Sequence, residues 1–221
     1  MNTRMSARSS RPFRLISTAA ALLGVGTAGG AIAARSAEAV SGNQPDLDKK
    51  TITAMFDQVG GPVAEHANLE PLVGDSDMEV RITMMPGTPP MIARAVGQAR
   101  WVLGGRFIEL RSTPAPGEEL GISSIGYMGY DKRQGKYFWW AIDSTDTYSV
   151  FAQGNYDPDS RTFTLLGENQ EPGIGMVPFK IIIRQDNDTR GTTQVWFKRL
   201  DAPNADAEGW AMMVEMISTR K

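Results

Sequence analysis

The sequence predicts an all-β protein: an antiparallel, up-and-down closed barrel of about ten strands with a short N-terminal helix. Three observations carry that expectation. From Asp77 onward, apolar and polar residues alternate with a period of two. Turn-forming Gly, Asn, Asp and Pro recur at short, regular intervals. After residue 75 neither a helical period of useful length nor a long crossover segment intervenes. So many consecutive strands must close or stack to remove their edges. A sandwich would also remove them, but the lack of a long connection favours a closed meander.

Residues 1–39 read as an address. Arg4, Arg8, Arg11 and Arg14 give a basic start, Leu15 to Ala34 carries no charge, and Ala37-Glu38-Ala39 supplies a small-x-small cleavage site, with Ala31-Ile32-Ala33 a second candidate. This is the pattern of a secretory signal peptide. The alternative is a retained anchor, since the uncharged run is about the ~20 residues that span a bilayer. The expected location is the periplasm or the cell exterior, with no membrane contact once the leader is removed.

Residues 40–62 read as a polar linker and short helix. Asp46 or Asp48 caps a helix through Thr51-Ile52-Thr53-Ala54-Met55-Phe56, and Gly60-Gly61-Pro62 ends it. The barrel domain is placed at 63–221. Its opening, 63–73, reads as a further helical turn with Leu69, Leu72 and Val73 on one side. The first strand follows: Met78, Val80, Ile82 and Met84 alternate with Glu79, Arg81 and Thr83. Further strands are expected at about 92–103, 105–112, 122–130, 136–143, 147–154, 161–167, 177–185, 192–199 and 209–219. Between them lie turns such as Gly104-Gly105, Asp157-Pro158-Asp159-Ser160 and Asp186-Asn187-Asp188, whose residues tolerate positive φ or preset it.

Composition excludes several chemistries. No Cys occurs in the 221 residues, so no disulfide, thiolate metal site, cysteine nucleophile or lipidated cysteine is available. One His leaves no multi-histidine metal site, and no metal is expected. The leader holds five of the 23 basic residues and one of the 25 acidic ones, leaving 18 and 24 and a net charge of −6 beyond it. Such a chain lacks the basic face that nucleic acid requires.

His66 is the one side chain with an ordinary pKa near neutrality. It precedes the strands, which suits a histidine that caps a helix or plugs the barrel through backbone hydrogen bonds; the functional alternative is a base or ligand contact. Glu79, Glu109, Glu215 and Asp143 lie on expected strands and could pair as acid and base if they face inward. Asp143 shares a strand face with Tyr137, Trp139 and Ala141, which would place it in an aromatic-walled interior. No Ser occupies a nucleophile elbow; Ser123-Ser124 lies on a strand. A barrel-bound heme needs an axial His in the cavity, and the single His lies outside the strands, so no cofactor is expected. In Tyr137-Phe138-Trp139-Trp140 both faces are apolar. One face can line a pocket and the other a contact between two copies of the chain, or both can simply be covered core.

His66-Ala67-Asn68-Leu69-Glu70-Pro71-Leu72-Val73-Gly74 resembles the H-x-x-L-x-x-L-x-G-x-W opening of a bacterial "domain of unknown function" family. The resemblance continues at Trp101 to Phe107, Gly126 to Asp131, Lys136-Tyr137, Asp143-Ser144, Gly154 to Asp157, Thr162 to Glu168 and the closing Thr219-Arg220-Lys221. It implies a calycin- or lipocalin-type barrel and brings no established activity. The chain departs from the pattern at two positions. Ser76 stands where the family's Trp is expected, and Ala141 where an aromatic is expected. If both face the lumen, this member has a larger or differently shaped cavity.

These readings converge on an exported, non-enzymatic barrel that binds a small apolar or amphipathic ligand through Trp101, Tyr137, Trp139 and Asp143. The alternatives are an envelope protein whose barrel is filled by its own side chains, and a weak hydrolase or isomerase acting through Asp143 or His66.

Overall fold

Ten antiparallel strands follow one another around a closed barrel, each paired with its sequence neighbours, and the last pairs with the first. In the computed structural model the described residues are 48–85, 88–171, 173–198 and 205–221; the leader expected at 1–39 lies outside them. The strands are β1 (Gly74–Ile82), β2 (Met91–Val102), β3 (Phe107–Pro114), β4 (Ser124–Asp131), β5 (Lys136–Asp143), β6 (Val150–Asp157), β7 (Thr162–Glu171), β8 (Gly175–Gln185), β9 (Arg190–Lys198) and β10 (Trp210–Arg220). Closure is made by β1 against β10, in register from Ser76↔Arg220 to Ile82↔Val214. It satisfies the backbone groups that two bare edges would expose. A bulge between Met212 and Val214 bends β10 against β9, a common device for curving a sheet.

The period-two pattern sets the inside and the outside. Along β2, Ala93, Ala95, Gly97 and Ala99 point inward and are buried, while Ile92, Arg94, Gln98 and Arg100 are exposed. The turns have the backbone their residues predicted. Leu103, Gly104 and Gly105 all take positive φ (50°, 69° and 79°) in the β2–β3 connection, a path that only the two glycines adopt without strain.

Among the described residues two short helices precede the strands. In α1 (Lys49–Gly60) the Asp48 carboxylate accepts from the Thr51 N–H at 2.7 Å, the cap expected from sequence. Arg106 holds the far end of α1, donating to the Gly60 carbonyl (2.9 Å) and pairing with Asp57. Next comes a 3-10 helix, Ala64–Leu72, whose Leu69 is fully buried in the barrel core. No helix among the described residues is long and apolar enough to cross a membrane.

Candidate functional site

Side-chain size divides the interior into two regions. Beneath one part of β4 to β8 large inward residues pack together, over the small Ala152, Gly154 and Gly167. Tyr137, Phe163, Leu165, Phe179 and Ile181 are buried there, joined by Leu69 from the 3-10 helix and by the half-buried Tyr130 and Tyr156. Rings meet edge-on or tilted, Tyr137–Phe163 at 4.9 Å and Tyr156–Phe163 at 4.5 Å between centroids, the geometry aromatic quadrupoles favour. The Tyr137 hydroxyl donates to the Glu65 carbonyl (2.9 Å) and accepts from the Asn68 amide (2.7 Å), tying the 3-10 helix to the strands. Burial pushes this hydroxyl's pKa up, against the Asn68 bond that lowers it.

Elsewhere a run of inward positions is small: Ser76 on β1, Gly97 and Ala99 on β2, Ser112 on β3, Gly126 on β4 and Ala141 on β5. Small residues along five neighbouring strands leave one side of a ten-stranded barrel unfilled, a barrel wider than an eight-stranded one. A cavity of about 180 Å³ results. Its apolar wall includes Leu72, Met78, Leu110, Trp139 and Met216; its polar groups include Ser76, Ser124, Gln185, Thr193 and Arg220.

Of the four residues singled out from sequence, Trp139 lines this cavity, with one flank packed on the core. Tyr137 belongs to the packed region. Trp101 is half-buried against the core, and its indole Nε1 donates to Glu70 at 2.7 Å. Asp143 requires a correction. Register places it opposite Ser124 on the inward side, but β5 ends there, and the carboxylate is exposed. It accepts from the Thr145 N–H (2.8 Å) and from the Thr145 hydroxyl. Alternation gives the side of a strand and not its depth, so the expected interior carboxylate is a turn carboxylate.

The other strand carboxylates face outward. Glu109 is held by Arg111 (2.6 Å) and the Tyr127 hydroxyl (2.8 Å), which keep its pKa below the usual range. Arg81 bridges Glu79 and Glu215. His66 is buried; its Nδ1 accepts from the Val63 N–H at 3.1 Å, and its backbone N–H donates to the Val63 carbonyl at 3.0 Å. With its ring edge-on to Tyr130, it both caps the 3-10 helix and helps plug the barrel. Neither His66 nor Asp143 lines the cavity. Among the described residues no group of three or more His, Asp or Glu could hold a metal ion.

The cavity residues that sequence analysis missed lie mainly on β1, β2, β9 and β10: Met78, Gly97, Thr193, Met216 and Arg220 among them. The alternating small run Ala93-x-Ala95-x-Gly97-x-Ala99 was the available signal. The two departures from the family pattern did fall on the cavity, since Ser76 and Ala141 both line it.

A family model described as "Protein of unknown function (DUF1579)" matches residues 61–220. The chain belongs to this family. The DUF1579 match covers the barrel and the 3-10 helix that plugs it. No curated protein matches the sequence. Among solved structures, the crystal structure of Rv2717c from M. tuberculosis is similar in fold, with a TM-score of 0.52 and 13% identity over 72% of this chain and 98% of that one. An unknown-function barrel family is thus supported by sequence and by fold.

Proposed function

We propose that this DUF1579 protein is exported and holds a small apolar or amphipathic molecule in its barrel cavity, as calycin-type barrels do, without acting on it chemically. The observation that carries the reading is the cavity, with a predominantly apolar wall interrupted by polar groups. That combination suits ligand pockets in general. Its size limits the ligand. About 150 Å³ of dry apolar space admits benzene, and drug-sized molecules need about 300–1,000 Å³. A cavity of about 180 Å³ therefore suits a molecule of roughly ten non-hydrogen atoms. A barrel filled by its own side chains would leave no such space. Of the titratable groups, His66 and Asp143 are engaged elsewhere and the lining Asp75 is paired with Arg100, which favours binding over catalysis.

Native mass spectrometry of protein purified from its own host tests the proposal. The expected result is a bound species of low mass that denaturation releases. Ligand-free protein, together with no binding of small aryl probes in vitro, would overturn it.

A further inference from the structure

Arg220, exposed at the rim of the cavity, carries a charge with no opposite partner among the described residues, and this bears on what the cavity binds. Four charged residues line it: Asp75, Arg111, Arg184 and Arg220. Three of them have opposite-charge partners, Asp75 with Arg100, Arg111 with Glu109, and Arg184 with Asp186. Arg220 differs. Its Nη2 donates to the carbonyls of Pro71 (2.8 Å) and Val73 (2.9 Å), and among the described residues it has no carboxylate partner. Those carbonyls fix the guanidinium in place but do not neutralise it. Two of its five N–H donors are used, and Nη1 and Nε are without an acceptor among the described residues.

The position of Arg220 is set from three directions. Its backbone N–H donates to Thr189 in the β8–β9 turn (2.8 Å). Strand pairing puts it opposite Ser76 on the inward side of β1. Its side chain is clamped to the end of the 3-10 helix. A preorganised guanidinium with spare donors beside an apolar chamber is what bidentate carboxylate recognition requires.

We propose that the ligand is a small carboxylate with a compact apolar tail: the carboxylate meets Arg220, and the tail lies against Trp139 and Leu110. This rests on the ligand-binding reading above and narrows it to an anion.

Isothermal titration calorimetry with phenylacetate and its neutral near-isostere phenylacetamide tests it. Phenylacetate is expected to bind about tenfold or more tightly, the step a charge-assisted hydrogen bond supplies. Raising the salt concentration should weaken phenylacetate alone. Arg220→Gln should abolish the preference while phenylacetamide binding stays unchanged, and Arg220→Lys, which keeps the charge, should retain part of it. If the Gln variant does not fold, the salt dependence and the probe preference of the natural chain still decide. Equal binding of both probes, or tighter binding of the amide, would overturn the anion proposal and leave the ligand-binding reading standing. Binding of neither, together with ligand-free protein in native mass spectrometry, would overturn both.

Discussion

The two regions of the barrel interior are built on the same strands and with the same alternation, yet one is solid and the other hollow. Around Tyr137 and Phe163, large inward rings and aliphatics close over the small Ala152 and Gly154, and a 3-10 helix supplies Leu69 as a plug. Around Gly97 and Ala141, inward residues are small and leave space. Closing the barrel is a matter of backbone hydrogen bonds and is indifferent to side-chain volume. Filling it depends on volume alone, position by position. The fold can therefore be held in one region while another is kept for a ligand.

The largest expected effect tests that division. Phe163 is 2% exposed and touches two tyrosine rings, so Phe163→Ala should cost about 3–5 kcal/mol in urea unfolding. Met78 already faces free space and is only half-buried. Met78→Ala should cost about 1 kcal/mol, below the usual range for a buried Met. Losses of similar size at both sites would show that the hollow region carries as much packing energy as the solid one, and the distinction drawn above would fail.

A smaller effect on stability, but a large one on binding, is expected from putting back the bulk that the family pattern places at the cavity. Ser76→Trp and Ala141→Trp each project a large ring into the free space. Filling an existing void avoids the strain of overpacking a dense core, so stability should hold within about 1 kcal/mol. Affinity for phenylacetate should fall by about tenfold or more. A folded variant that binds as well as the natural chain would place the ligand site elsewhere, and one that unfolds would show that the space cannot take the ring.

Much of this was legible in the sequence, and the part that was not has a physical reason. All ten strands could be placed within a few residues, because alternation and turn chemistry are local: the expected strand at 136–143 coincides with β5, and Asp48 caps α1 as its position suggested. The capping role of His66 was legible for the same reason. The cavity was less so, because its lining is assembled from strands far apart in sequence. Arg220 reaches it only through the closing pair of β10 with β1, a contact no local pattern announces. Trp101 and Tyr137 looked like pocket walls by residue type, but they are partners of the 3-10 helix through Glu70, Glu65 and Asn68. Ser76 and Ala141 were found as departures from a family pattern, a signal that needs no register.

The smallest expected effect concerns the turns, which both regions share. Asp131 accepts from the Arg133 N–H and the Gln134 amide, Asp157 from the Ser160 hydroxyl and the Asp159 N–H, and Asp206 from the N–H groups of Trp210 and Glu208. These bonds favour the ionised form and hold all three carboxyls below their ordinary value. A carboxyl whose pKa is lower folded than unfolded adds stability above the unfolded value, about 3.9 for Asp. That stability is lost as pH falls through the folded value, because the unfolded chain then binds more protons. The urea midpoint should therefore be level from about pH 5 to 8 and decline as pH drops below about 4. Asp157→Asn keeps an oxygen acceptor for the turn and removes the titration, so its acid decline should be shallower than that of the natural chain. An identical acid limb in the two proteins would mean that Asp157 does not contribute to the acid response.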